Sequence, residues 1–170
     1  MVFKRSKREE PKSMAAMPEA QPSGSPDAVL RDGLGLHHLW YFEHRLADEV
    51  ARAARTDSIF SVAVWRLRLL PGESLAPELL RKCASLISES LRAYDLVTRI
   101  DEERLGALLL DAPYQDAANV AFRIKGDLQM HAPSVGKWQA GVATFQRDGV
   151  DADSLIRAAL RRLDEDAKAA

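Results

Sequence analysis

Cysteine occurs once among these 170 residues, at Cys83. A lone thiol excludes an internal disulfide framework and fits a reducing compartment, so a cytoplasmic location is expected. No apolar run approaches the ~18–20 residues of a membrane-spanning helix. Neither sign of charge is in excess: 24 Lys+Arg stand against 25 Asp+Glu. That balance argues against a dedicated nucleic-acid or membrane-surface binder, which needs a basic surplus. The chain has nine glycines and no Gly-rich loop of the kind that cradles phosphates. What it does have is 46% apolar residues, an ordinary share for a globular domain.

Proline is unevenly placed. Four of the eight lie within residues 1–30, at Pro11, Pro18, Pro22 and Pro26, among five basic and four acidic residues. Such a stretch buries too little apolar surface to offset its chain entropy, and a disordered arm over 1–30 is expected. Its basic start, Lys4-Arg5-Ser6-Lys7-Arg8, has no apolar segment behind it and does not read as a secretory signal. Residues 31–170 then form one folded unit.

Apolar spacing in that unit alternates between periods of about 3.6 and 2. Leu39, Phe42, Leu46, Val50 and Ala53 predict a helix over 36–55. Residues 59–65 are rich in β-branched and aromatic side chains and predict a buried strand, half exposed at its far end where Arg66 and Arg68 alternate with Leu67 and Leu69. After Pro71-Gly72, Leu79, Cys83, Leu86, Ile87 and Leu91 predict a helix over 77–91. Two short strands at 95–100 and 105–110 flank a polar turn, Asp101-Glu102-Glu103-Arg104, and suggest a hairpin. A helix over 114–130, a strand over 137–145 and a last helix from 152 complete the chain. The fold class is α+β (α/β): a mixed sheet of about five strands with helices on its faces.

Single residues are weak guides to chemistry here. His37, His38 and His44 lack a cysteine at metal-ligand spacing. The acidic Asp101-Glu102-Glu103 reads as a solvated turn. Cys83 lies on an apolar helix face and reads as a small core residue.

Several segments resemble, in order and spacing, the GGDEF domain of bacterial diguanylate cyclases. Asp32-Gly33-Leu34-Gly35-Leu36 is similar to that family's D-x-L-T-G-L opening with one residue missing. Leu91-Arg92-Ala93-Tyr94-Asp95-Leu96-Val97-Thr98-Arg99 is similar to L-R-x-x-D-x-x-x-R. Ala121-Phe122-Arg123-Ile124-Lys125 resembles A-x-R-I-R, and Gly141-Val142-Ala143 resembles G-[IV]-A. The resemblance covers nearly all of 31–170 and implies that family's fold.

It also exposes departures. The hairpin that carries GGDEF in the family reads Asp101-Glu102-Glu103-Arg104-Leu105 here, without the two glycines and with an arginine at the fourth, carboxylate, position. The first strand, which ends in metal-holding aspartates in the family, reads Val64-Trp65-Arg66-Leu67. Magnesium needs hard oxygen ligands, so no metal, no cofactor and no cyclase activity are expected.

A second family site is matched. The resemblance implies a surface site for cyclic di-GMP, formed by an R-x-x-D five residues before the hairpin turn and an arginine on the next helix. Here these are Arg92, Asp95 and Arg123, with Arg99 a possible addition. A guanidinium can fork to O6 and N7 of guanine or pair with phosphate, and a carboxylate can accept from guanine's other edge. R-x-x-D also occurs at Arg45–Asp48 and Arg161–Asp164, both on predicted helices, so only position distinguishes Arg92–Asp95. The expectation is therefore a non-catalytic cyclic di-GMP receptor with a protein partner or self-association. The alternative is a protein-interaction module that binds no nucleotide.

Overall fold

A computed structural model describes residues 29–169. Apart from its last two positions, the arm expected over 1–30 lies outside the described residues. The elements are α1 (Leu39–Thr56), β1 (Phe60–Leu69), α2 (Pro77–Ser90), β2 (Leu96–Arg99), β3 (Arg104–Leu110), α3 (Tyr114–His131), β4 (Gly136–Thr144) and α4 (Ala152–Ala169). Each predicted element is present, with ends shifted by a few residues at most. No helix among the described residues is long and apolar enough to cross a membrane.

The strands form one sheet in the order β2-β3-β1-β4, and all three pairings are antiparallel. The α+β class is as expected, but in place of a mixed sheet of about five strands the described residues form four strands, all antiparallel, with one parallel bridge between His37 and Thr98 at the β2 edge.

Alternation along β1 divides the core in two. Ala63, Trp65 and Leu67 face α2 and α3, where Cys83, Ile87, Ala121 and Ile124 are buried. Phe60, Val62 and Val64 face α1 and α4, against Phe42, Leu46, Leu155 and Leu163. The sheet therefore lies between two helical layers. Trp65 is fully buried, and its indole Nε1–H donates to the Ala121 carbonyl at 2.9 Å, fastening β1 to α3. Burial pushes the Cys83 thiol up to about 11, as suits a core residue. On α1 the buried face contains an unexpected carboxylate, Glu49, 4% exposed. Arg52 reaches back one turn, and its Nε–H lies 3.1 and 3.0 Å from the two Glu49 oxygens.

The outer edge of β4 is closed by side chains instead of a fifth strand. Gln129 accepts from the Trp138 amide at 2.9 Å and donates to the Gly136 carbonyl at 3.1 Å. Asp166 accepts from the Ala140 amide at 3.0 Å, Asp148 accepts from the Thr144 amide at 2.8 Å, and Arg162 donates to the Val142 carbonyl. These groups blunt a strand edge that would otherwise offer a pairing template. Arg162 also forks onto Asp148 with bonds of 2.8 and 2.6 Å. Burial alone would raise the Asp148 carboxyl; the bonds and charge of Arg162 and the Thr144 amide outweigh it and hold the pKa below the ordinary 3.8.

Two glycines differ in what surrounds them. A Cβ on Gly141 would lie 2.1 Å from the Ala159 carbonyl of α4, whereas one on Gly126 meets nothing within 4 Å. Gly141→Ala is expected to destabilise the fold, because α4 must lift off the sheet. Gly126→Ala should stabilise it by about 0.5–1 kcal/mol, the helix-interior penalty of glycine. Urea unfolding of the two variants should give midpoint shifts of opposite sign.

The depressed Asp148 pKa sets a second expectation. Below its ordinary value the unfolded state binds the proton first, so stability rises with pH there and is lost as pH falls through the folded-state value. Asp148→Asn should flatten the acid limb of a stability–pH curve, read by urea unfolding at stepped pH.

Candidate ligand-binding site

α2 ends at Ser90, and the chain turns through Leu91–Asp95 before entering β2. Asp95 builds that turn. Its amide donates to the Arg92 carbonyl at 3.0 Å. One carboxylate oxygen accepts from the Arg92 amide at 3.0 Å, and the other accepts from the Leu110 amide at the end of β3, at 3.1 Å. The carboxylate thus ties the turn to the sheet.

The turn aims Arg92 outward. Its guanidinium Nη1 donates to the Tyr94 hydroxyl at 2.9 Å, and its Cζ lies 5.8 Å from that ring's centroid. Arg123 reaches across from α3 and donates to the Ser90 carbonyl at 3.3 Å. Between them is a cavity of about 180 Å³ bordered by Arg92, Asp95, Asp111, Asp116 and Arg123, with Val120 as part of its apolar wall. Three of the four residues expected at a ligand site share this cavity. Arg99 is the exception: it donates from Nε to the Asp101 carbonyl at 3.0 Å and belongs to the hairpin.

Two further acidic residues, Asp111 and Asp116, line the wall. Asp116, Val120 and Arg123 follow a spacing of four and three, so they share a face of α3. That spacing is readable in the sequence once Arg123 is singled out. Asp111 follows β3 in a left-handed conformation (φ 48°) and carries no comparable sequence signal. The other R-x-x-D matches form no internal ion pair: Asp48 approaches His44 at 3.6 Å, and Asp164 binds Arg66 at 2.8 Å.

At the opposite end of β3, Asp101 organises the hairpin. One of its oxygens accepts from the amides of Glu103 at 3.0 Å and Arg104 at 2.9 Å, and the other accepts from Arg104 Nε at 2.6 Å. Burial pushes the Asp101 carboxyl up, but the bonds from Arg104 and Glu103 and the Arg104 charge outweigh it and lower the pKa overall. Arg66 and Arg104 occupy paired positions on β1 and β3, and together with Asp101, Glu102 and Glu103 they line an open hollow. Arg66 donates to Gln139 Oε1 and to Asp164, each at 2.8 Å. Leu105 is buried opposite Trp65. Among the described residues no group of three or more His, Cys, Asp or Glu side chains is arranged to hold a metal ion.

A helix-flanked antiparallel sheet of this order, with a β2–β3 hairpin at one end, matches known folds. The family model for the diguanylate cyclase GGDEF domain matches residues 34–170. The chain belongs to the GGDEF domain family. Among solved structures, it is similar to the GGDEF domain of DgcB from Caulobacter crescentus in complex with c-di-GMP. That similarity is at 16% identity and a TM-score of 0.73, over 86% of this chain and 94% of that one. It is also similar to the diguanylate cyclase SiaD of Pseudomonas aeruginosa, solved with its activator SiaC, at 22% identity and a TM-score of 0.72, over 84% of this chain and 60% of that one. The FimX GGDEF domain from Pseudomonas aeruginosa matches at 20% identity and a TM-score of 0.68, over 83% of this chain and 95% of that one. No curated protein matches the chain.

The two bonds to Asp95 give a local prediction. Asp95→Ala leaves the Arg92 and Leu110 amides without their acceptor and should cost about 1–2 kcal/mol in urea unfolding. Asp95→Asn keeps one acceptor oxygen and should fall between this variant and wild type. Equal stability for all three would show that the turn holds without the carboxylate.

Proposed function

We propose that this GGDEF domain is a non-catalytic receptor for cyclic di-GMP, which it grips at the cavity between α2 and α3 through Arg92, Asp95 and Arg123. The observation that carries this reading is convergence. Two arginines from separate elements border one small cavity, and a fixed carboxylate lies between them in its wall. The ligand offers two phosphates and two guanines. Arginine suits both, by forking to phosphate oxygens or to O6 and N7. A cavity of about 180 Å³ is below the ~300 Å³ at which pockets enclose drug-sized ligands, so it fits one base, with the remainder held on the open surface beside Arg92 and Tyr94.

The absence of catalysis is supported by the donor set at the hairpin end. A divalent cation needs several free carboxylate or carbonyl oxygens. Here both Asp101 oxygens accept hydrogen bonds, and Arg66 and Arg104 bring two positive charges to the same hollow. The residues present do not fit magnesium, and phosphoryl transfer from GTP has no metal support there.

A second reading, a protein-interaction module without a nucleotide, is favoured by one fact: Asp95 has a complete structural role on its own, with both oxygens engaged by backbone amides.

Calorimetric titration with cyclic di-GMP separates the two readings. The receptor reading predicts micromolar or tighter binding, weakened roughly tenfold or more in Arg92→Ala and in Arg123→Ala. No heat from a folded wild-type protein would overturn it in favour of the interaction module. Incubation with GTP and Mg²⁺ should yield no cyclic dinucleotide by chromatography; any product formed would refute the non-catalytic half.

A further inference from the structure

We propose that the chain pairs with a second copy of itself through an exposed ridge of α2, antiparallel and about a two-fold axis near Ser85. The pairing needs no nucleotide, and it stands or falls apart from the receptor reading.

Helix α2 buries Leu80, Cys83, Ala84 and Ile87. On its opposite side Arg81, Ser85 and Glu89 recur every four residues and form one exposed ridge. The ridge borders an open groove of about 830 Å³ between α2 and α3, with half-buried Leu86 in its wall and Asp127 and His131 on the α3 side. Helices pack by setting a ridge of one into a groove of the other, and here one chain presents both.

The charges on this face are not used within the chain. Arg81 and Glu89 are eight residues, roughly 12 Å, apart along the helix axis, too far to pair with each other. One turn before Glu89 stand Ser85 and Leu86, neither of them basic. Glu78 lies one turn from both Arg81 and Lys82, and one carboxylate cannot neutralise two cations. Among the described residues, the side chains of Glu78, Arg81, Lys82 and Glu89 make no hydrogen bond or ion pair.

Along the ridge the charge runs positive, neutral, negative. Two copies laid antiparallel set Arg81 of each against Glu89 of the partner subunit. Ser85 then meets its own counterpart at the centre, where a short side chain allows close approach. Laid parallel, the same ridges set like charge on like. The pattern therefore fits its own reverse, as a two-fold interface requires. Exposed ion pairs add little affinity and chiefly fix orientation. Apolar surface comes from Leu86 and from Met130, 70% exposed and one turn from Asp127 on the same face of α3. The dimer is accordingly weak and depends on concentration.

The experiment is sedimentation velocity of the full chain without nucleotide, from roughly 10 µM to roughly 500 µM. It compares wild type, Arg81→Glu, Glu89→Arg, the variant carrying both, and an equimolar mixture of the two single variants. Circular dichroism checks folding, which substitutions at exposed positions should leave intact. Wild type should move from monomer toward dimer over this range, less so at high salt. Each single reversal turns both symmetric contacts into like-charge pairs and should weaken dimerisation roughly tenfold or more. The double reversal rebuilds both contacts with signs exchanged and should recover the wild-type constant to within about threefold. The mixture should form a heterodimer, because one variant's ridge is wholly negative and the other's wholly positive. Wild type that remains monomeric at about 500 µM would overturn the proposal. So would a dimer indifferent to both single reversals, or losses that neither the double variant nor the mixture recovers. None of these outcomes bears on cyclic di-GMP binding.

Discussion

The geometry of the cavity depends on one carboxylate accepting two backbone amides. Asp95 holds the amide of Arg92, three residues earlier, and that of Leu110, at the far end of β3. The first bond closes the turn after α2, and the second ties that turn to the sheet. Without both, the position of Arg92 relative to Arg123 would be set only by the last turn of α2. The clamp is local chemistry: a charged acceptor strengthens its bonds to N–H donors beyond those of neutral pairs. Its role in the fold and its role at the cavity wall are therefore hard to separate by deleting the side chain, and the arginines are the cleaner probes of ligand.

The two ends of β3 carry different charge arrangements. At the Leu110 end, cationic and anionic side chains border a cavity and several of their hydrogen-bonding atoms face outward. At the Arg104 end, Arg104 pairs with Asp101 and Arg66 with Asp164, and Gln139 accepts a further hydrogen bond from Arg66. Internally satisfied networks of this kind hold a hairpin and a helix end in place, but they present few free ligands. The proposed division of labour, ligand binding without chemistry, follows from that contrast.

Much of the fold was legible because its signals are repeated. On α3 the periodic Ala117, Ala121, Ile124 and Leu128 are buried while Val120 on the same side is only half-buried at the cavity, and the alternation from Trp65 to Leu69 on β1 places Trp65 and Leu67 inward. On α2 the expected Cys83 and Ile87 are buried, but Leu80 and not Leu79 is the buried leucine of the first turn, because adjacent apolar residues leave the phase of a helix open. Glu49 was not legible as buried: its burial depends on Arg52 folding back over it, a side-chain choice that periodicity does not encode. Arg92, Asp95 and Arg123, which the resemblance singles out, border one cavity, whereas β2 directs Arg99 toward Asp101. Asp116 joins the cavity through the packing of α3 against the turn, and Asp111 through the end of β3 that Asp95 holds.

The central claim is that a cyclic dinucleotide binds between α2 and α3 and not at the hairpin. Backbone chemical-shift mapping during titration with cyclic di-GMP tests it most directly. Binding there should give progressive shifts at Leu91–Asp95, Leu110–Ala117 and Arg123, with Asp101–Leu105 and Arg66 unmoved. Shifts concentrated at Asp101–Leu105, or none anywhere at saturating ligand, would contradict it.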